Sequence, residues 1–370
     1  MADYKVCNRC IMDTTCDPDL GLDSKGVCKY CRKYDAKKIR LPSGIVAEAK
    51  LEKIINQIKA DGKTKEYDCV LGLSGGVDSS FLAVQAKKFG LRVLAVHVDA
   101  GWNSEIAVDN IEKMCKKLGY DLHTEIIDWP TMKEIQRAYM FSDLANLDVP
   151  QDHVFIAAIY KAAAKYRVKY ILNGANLATE GILSMAWQAI NTDFKHIKSV
   201  CKAHGRKIDF RKYPHITPFL YYVLYPFVLR IKTVRILDYI PYSKAMAMET
   251  LKREFDWNYY GGKHFESRFT KFFQEYYLPK KFGWDKKKDH ISSLIVSGEM
   301  TRKEGLLELE NSRISENEIQ TEKEYVLKKL DISPDEFEKM MRRPGKANEA
   351  YRRTLWIGLA RKFYLLFLTK

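Results

Sequence analysis

A chain of 370 residues with 46% apolar and 12% aromatic side chains can fill more than one hydrophobic core, which excludes a disordered or low-complexity protein. Its 62 Lys and Arg against 47 Asp and Glu leave a formal charge of +15, which points to an anionic partner: a nucleotide, a nucleotide-sugar, RNA or an acidic membrane surface. The first residues show no basic stretch followed by an apolar one, and no run reaches the ~20 apolar residues that span a bilayer, so a soluble, cytoplasmic chain is expected.

Residues 1–40 are expected to form a small zinc ribbon. Cys7-x2-Cys10 and Cys28-x2-Cys31 stand 17 residues apart, a spacing that points four thiolates at one tetrahedral ion. Such a site has no open position, so its role is structural: it supplies stability that so short a segment cannot draw from a core. Cys16 is left as a spare buried thiol. Cys69, Cys115 and Cys201 are isolated, which argues against a disulfide framework.

Residues 41–200 alternate between two periodicities. Helical spacing over 45–61 is followed by a short apolar run at 67–73, a helix at 79–89, a strand at 92–98 and a helix at 104–118. A third strand at 121–127, an Ala-rich helix at 152–166 and a fourth strand at 169–172 complete the pattern. Strands alternating with helices of this length predict an α/β fold with a parallel, doubly wound, Rossmann-like sheet. Residues 201–370 are denser in aromatic and basic side chains, and 292–309 and 321–341 have helical spacing, so a mainly α-helical domain for substrate or partner is expected. Two further apolar stretches, 218–229, broken by Pro226, and 356–368, interrupted by Arg361 and Lys362, are too short to span a membrane and suit a buried helix or a partner surface, with a membrane-facing role as the lesser alternative.

The chemistry concentrates at Ser74-Gly75-Gly76-Val77-Asp78-Ser79-Ser80, between the first strand and its helix. Two glycines permit positive φ and close backbone approach, the helix N–H groups point at an anion, and three hydroxyls add donors. No Lys follows, so this is not the mononucleotide-kinase loop. The segment resembles the pyrophosphate loop of the PP-loop ATPases, which include asparagine, GMP and NAD synthetases, argininosuccinate synthetase, and tRNA lysidine and thiolation enzymes. That resemblance implies ATP cleaved between its α and β phosphates, with AMP passing to a carbonyl-type oxygen. It implies ATP contacts from Leu73 through Ser80, catalytic duty for Ser74 and Asp78, and Mg²⁺ on the Asp78 carboxylate. His97 and Asp99 close the second strand, where relatives contact adenosine. Asn173, Gly174, Asn176 and Glu180 close the fourth, in a segment loosely similar to one of the tRNA enzymes but lacking its paired Asp. All lie at carboxyl ends of strands, where open α/β sheets bind ligands.

The later segments Tyr260-Gly261-Gly262-Lys263-His264-Phe265-Glu266-Ser267-Arg268, residues 278–286 and residues 292–299 resemble the N-acetyl sugar amidotransferases of lipopolysaccharide and flagellin-glycan pathways, of the WbpG and PseA kind. The resemblance extends from the cysteine pairs to about residue 345. It implies conversion of an acetamido group on a nucleotide-linked sugar into an acetamidino group. It also implies ammonia from partners like the glutaminase and cyclase subunits of histidine biosynthesis, since this chain has neither a G-x-C-x-G elbow nor Cys at position 2. Lys263, His264 and Glu266 are the expected catalytic group, with His264 or Glu266 as general base. Asn176, Glu180, Lys263, Arg268 and Lys281 are the expected substrate contacts. The competing expectation is a PP-loop tRNA-modifying enzyme, which would share the loop, the cysteine pairs and the basic charge.

Overall fold

The computed structural model describes residues 4–184, 189–311 and 314–368, with side chains as far as residue 364. The N-terminal unit carries helix α1 (Lys29–Lys38), and α2 (Gly44–Gly62) leads into the sheet. Then follow β1 (Cys69–Gly72), α3 (Val77–Lys88), β2 (Val93–Asp99), α4 (Glu105–Leu118), β3 (Asp121–Ile126), α5 (Trp129–Met140), α6 (Val149–Lys165), β4 (Tyr170–Leu172), α7 (Leu177–Glu180) and α8 (Phe194–Ala203). The remainder holds β5 (Lys232–Val234), α9 (Lys244–Phe255), α10 (Arg268–Phe272), α11 (Leu278–Phe282), α12 (Lys287–Ser297), α13 (Arg302–Asn311), α14 (Glu316–Lys329), α15 (Pro334–Arg342) and α16 (Ile357–Leu368).

The five strands run parallel in the order β3-β2-β1-β4-β5. Side-chain alternation splits them cleanly. Leu71, Val93 and Ala95 face one core with α2, α3, α4 and α9, while Val70, Leu94 and Val96 face another with α6. The chain therefore winds to one face from β1 to β3 and to the other on the way to β4. The switch lies between β1 and β4, and a crevice opens at their carboxyl ends.

The doubly wound expectation holds, and the region beyond residue 200 is mainly helical. The sheet does not end at residue 200, however, because β5 joins β4 from residues 232–234. Likewise α5, α6 and α8 share a core with Phe272, Leu330, Phe337 and Met340 from the later helices. Helix α5 was not foreseen, although Asp128 caps it through the Thr131 N–H and Pro130 sits in its first turn. The two long helices expected late in the chain are each broken. Gly298 ends α12 at φ 90°, and Asp331 turns the chain at φ 49° before Ser333 and Glu336 form a capping box for α15.

Candidate functional site

β1 delivers the chain to Ser74-Gly75-Gly76 and α3 carries it away. Gly75 sits at φ +78°, and a Cβ there would come within 2.5 Å of the Ala107 carbonyl, so the turn requires glycine. Gly76 is the N-cap of α3 and has no side chain to cap it; the Tyr260 hydroxyl comes to the backbone of Val77 instead. Ser74 and Ser79 tie the loop, with their hydroxyls 3.1 Å apart and the Gly76 N–H donating to Ser74 Oγ at 3.3 Å. The result is a helix N-terminus with exposed hydroxyls, built for an anion. Gly174 allows the β4 loop to approach α3: a Cβ there would lie 3.1 Å from the Ser79 nitrogen.

Two cavities meet at this loop. The smaller, about 250 Å³, is lined by Ser74, Gly76, Val77, Asp78, Ser79, Asn173, Gly174, Glu180, Lys244, Tyr259, Tyr260 and Lys263. The larger, about 470 Å³, runs between the ends of β1 and β2 and the start of α6, past Leu73, His97, Asn146, Asp148, Asp152, Asn191, Gln274 and Lys286. Ser74, His264 and Glu266 line both.

Asp78 is held from several sides. Tyr242 donates to its Oδ1, as does Asn176 Nδ2 at 3.2 Å, and Thr179 Oγ1 lies 3.4 Å away. Lys263 Nζ lies 3.9 Å from Asp78 Oδ2 and 3.2 Å from Glu180 Oε1. Burial opposes ionisation of both Glu180 and Lys263, yet each charge outweighs the penalty for the other: Glu180 is held below the usual carboxylate range and Lys263 above the usual amine range. Asp78 and Glu180 gather negative charge in this corner with Lys263 beside them, and Asp78 would be the carboxylate to hold a hard cation such as magnesium there.

His264 adopts a left-handed backbone (φ 66°), and its Nδ1 lies 3.7 Å from Glu266 Oε1. The other oxygen of Glu266 is buried and has no hydrogen-bond partner. Deeper in the larger cavity, burial pushes the carboxyl groups of Asp148 and Asp152 up, and burial lowers the Lys286 amine. Gln151 Nε2 and Thr270 Oγ1 donate to Asp148 at 2.9 and 3.1 Å, and Asn191 Nδ2 donates to Asp152 at 2.8 Å.

The structure separates the residues expected from sequence. Leu73, Ser74, Gly76, Val77, Asp78, Ser79, Asn173, Gly174, Glu180, Lys263, His264 and Glu266 line the joined cavities. Gly75 shapes the loop from beneath. Ser80 does not reach it: the side chain is fully buried and its N–H bonds to Gly76 within the helix. His97 lines the larger cavity, but its ring bridges Leu73 O at 3.3 Å and Asn103 Nδ2 at 3.1 Å, and burial keeps it neutral. Asp99 turns the chain after β2 by accepting the Gly101 N–H at 2.8 Å and lines neither cavity. Asn176 is a buried cap that steadies Asp78, not a cavity residue.

Arg268 and Lys281 are corrections. Arg268 Nε bonds Glu322 at 2.9 Å and its guanidinium stacks 3.5 Å over Tyr325, so it is committed to α14. Lys281 is buried against Asp143 and the Met340 carbonyl, both at 2.8 Å. Both lie on helices whose charged side chains turn toward neighbouring helices. Missed by sequence were Tyr242, Lys244, Tyr259, Tyr260, Asp148, Asp152 and Lys286. Tyr260 and Lys286 lie within the segments that carried the resemblance, and the density of Tyr and Lys around residues 242–263 was a signal for Tyr242, Lys244 and Tyr259, while nothing marked Asp148 and Asp152.

The four cysteines are, among the described residues, the one His/Cys/Asp/Glu group close enough to share a metal. Cys7 and Cys31 Sγ lie 3.9 Å apart, and Cys10 and Cys28 Sγ 3.8 Å. A tetrahedron with Zn–S bonds of about 2.3 Å has edges of about 3.8 Å, so zinc fits without rearrangement. Backbone N–H groups of Arg9 and Cys28 point at Cys7 Sγ at 3.4 and 3.3 Å, which favours the thiolate. Cys16 stands apart as a buried thiol near the Asp285 carbonyl. The ribbon packs on Leu177, Ile182 and Val296, so it braces α7, the helix that ends in Glu180.

Two stretches of the chain match known families. Residues 266–363 match the family described as LPS biosynthesis protein WbpG-like, C-terminal domain, and residues 68–180 match queuosine biosynthesis protein QueC. Among curated proteins, the tRNA-5-methyluridine(54) 2-sulfurtransferase of Pyrococcus horikoshii is 29% identical over 26% of this chain and 34% of its own length. The tRNA(Ile)-lysidine synthase of Chlamydia pneumoniae is 29% identical over 29% of this chain and 37% of its own. The chain thus spans about a third of the length of the curated relatives it matches. Solved structures include the NMN synthetase of Francisella tularensis, with TM-score 0.28, 19% identity, 36% of this chain and 57% of that one covered. They also include the NH3-dependent NAD synthetase of Campylobacter jejuni, with TM-score 0.29, 15% identity, 56% of this chain and 94% of that one covered. The QueC match falls on the strands and the glycine loop from β1 to α7, and the WbpG-like match falls on the later helices from α10 to α16.

Proposed function

We propose that this WbpG-like PP-loop protein is an ATP-dependent, AMP-forming amidotransferase that converts an acetamido group on a nucleotide-linked sugar into an acetamidino group during surface-glycan synthesis. The amide oxygen attacks the α phosphorus of ATP and pyrophosphate leaves. Ammonia then adds to the activated carbon, the C–O bond breaks, and AMP departs with the former amide oxygen. The loop amides and hydroxyls of Ser74 and Ser79 hold the pyrophosphate, and Lys263 and Lys244 balance its charge. Glu266, with His264 beside it, takes the proton that the adding nitrogen sheds.

The observation that carries the reading is the place of Glu266 where the phosphate cavity meets the larger one, with His264 Nδ1 3.7 Å from its Oε1. A base at that junction faces both the nucleotide and an acceptor. The amide and carboxylate lining of the larger cavity (Asn146, Asp148, Asp152, Asn191, Gln274) suits a hydroxyl-rich acceptor, and Lys286 offers it a cation. Ammonia would come from separate glutaminase and cyclase-like subunits. The curated PP-loop relatives keep a tRNA-modifying enzyme as the second reading. Release of AMP from ATP–Mg²⁺ and ammonium chloride, across nucleotide-linked N-acetyl sugars and bulk tRNA, separates the two. Turnover with a sugar and a product lighter by the difference between O and NH supports the proposal; turnover with tRNA alone refutes it.

A further inference from the structure

Outside the cleft, behind α6, two segments are apolar on the wrong side. Residues 220–228 wind as a π-helix that packs on α16: Tyr221 and Tyr222 lie 6.0 and 5.7 Å from the Tyr364 ring, and Phe227 lies 5.6 Å from Phe363. Helix α16 turns Ile357 and Tyr364 inward. Its opposite side carries Leu359, 71% exposed, continuing from Leu355, 93%, and Trp356 just before the helix, with Phe363, 51% exposed, at the edge where it meets Phe227. The π-helix adds Phe219, Phe227, Val228 and Leu229, all exposed. A helix apolar on both faces is one whose outer face is covered, and a patch of this size marks an interaction surface.

The charge around the patch selects its cover. From Phe210 through Leu237, and again from Ala350 through Lys370, the sequence contains no Asp or Glu. Arg230, Lys232, Arg352, Arg361 and Lys362 stand in the same stretches as the exposed apolar side chains and are themselves exposed, while Arg353 pairs with Glu349 at 2.6 Å. Basic stems around a wedge of Leu, Phe and Trp match an anionic lipid surface, where apolar side chains enter the acyl boundary and Lys and Arg meet headgroups. No helix of the described residues is long and apolar enough to cross a membrane, and α16, 12 residues, reaches only ~18 Å of the ~30 Å hydrocarbon core. We infer that the joint face of the 220–228 π-helix and α16 docks this protein on an anionic phospholipid surface, lying in the interface with the ATP cleft elsewhere on the molecule.

Flotation of the full chain with vesicles of phosphatidylglycerol and phosphatidylcholine, against phosphatidylcholine alone, tests this. The protein floats with the anionic vesicles, and binding falls as salt rises. Leu359→Glu with Phe363→Glu removes flotation. Arg361→Gln with Lys362→Gln, both at exposed positions, weakens it on the order of tenfold or more at low salt. None of these positions lies in the cleft, so AMP release in solution stays at the parent rate, which separates lost docking from misfolding. A parent chain that stays in the unbound fraction with both vesicle types overturns the inference. So does flotation indifferent to lipid charge and to the four substitutions, or a patch whose variants abolish self-association or capture of a glutaminase subunit while the parent ignores vesicles.

Discussion

At the scale of single residues, the cleft is organised by charges that are expensive to leave alone. Lys263 offsets Asp78 and Glu180 in a half-buried corner of the smaller cavity. Lys263→Met strands two carboxylates and is expected to lower stability by about 3 kcal/mol. If Asp78 is the magnesium ligand, millimolar Mg²⁺ recovers part of that loss in a thermal melt; recovery equal to that of the parent chain refutes the assignment. Asp148 and Asp152 behave in the opposite sense. Burial raises their folded-state pKa above the unfolded value, so the native state keeps a proton that the unfolded chain gives up near pH 4. The stability they contribute is fully present below the unfolded pKa and is lost as pH rises through the raised one. Asp148→Asn is therefore expected to raise Tm by a few degrees at pH 8, with the gain vanishing toward pH 4, while AMP-forming turnover falls at least about tenfold. Destabilised activity without the alkaline gain in Tm would mean that the pair is ordinary packing. Lys286 and His264 face these carboxylates and set where in that window the change falls.

At the scale of elements, the zinc ribbon is the device that positions α7. Tyr34 lies against Gly181, where an added Cβ would meet its ring at 2.5 Å, and Arg302 Nε donates to the Cys10 carbonyl at 3.1 Å. Chelation of the metal, or Cys28→Ser, is expected to lower Tm by about 10 °C. It should also weaken ATP binding, because Thr179 and Glu180 ride on the braced helix. Calorimetry and nucleotide titration of the same sample check both; intact nucleotide affinity after metal loss would uncouple ribbon from cleft. The elements also show what sequence carries. β3, largely exposed, showed only the alternation of its Leu, Thr and Ile, whereas β1, β2 and β4 were legible because buried parallel strands appear as short apolar runs. β5 was not: it has three residues, and Lys232 and Thr233 are exposed, so no apolar run announces it. The breaks at Gly298 and Asp331 fall inside helical periodicity that continues across them, since pattern registers faces and not ends.

At the scale of the whole molecule, the cleft draws on segments more than 180 residues apart: the loop after β1, the turn after β4 and the 260–266 segment. Sequence supplied the first from a motif and the third from resemblance. It also assigned Arg268 and Lys281 to substrate, because a basic side chain near such a segment carries no sign of which way its helix turns. Asp148 and Asp152 were invisible for a related reason. Two acids beside a proline form no motif, and only the folding of α6 against Thr270 and Gln274 makes them a pocket wall. The ribbon, the sheet and the helical region are one working unit in this account, with a phosphate end, an acceptor end and a base between.

If the acetamido oxygen itself is adenylylated, a heavy-oxygen label on that atom follows it into AMP. A nucleotide-linked N-acetyl sugar labelled only in its acetamido oxygen would be incubated with the protein, ATP–Mg²⁺ and ammonium chloride, and the AMP analysed by mass spectrometry. The account predicts AMP carrying the label in its phosphate and a sugar that has lost it, in equal amounts. Unlabelled AMP beside an unchanged sugar would contradict it and leave ATP cleavage to serve another acceptor.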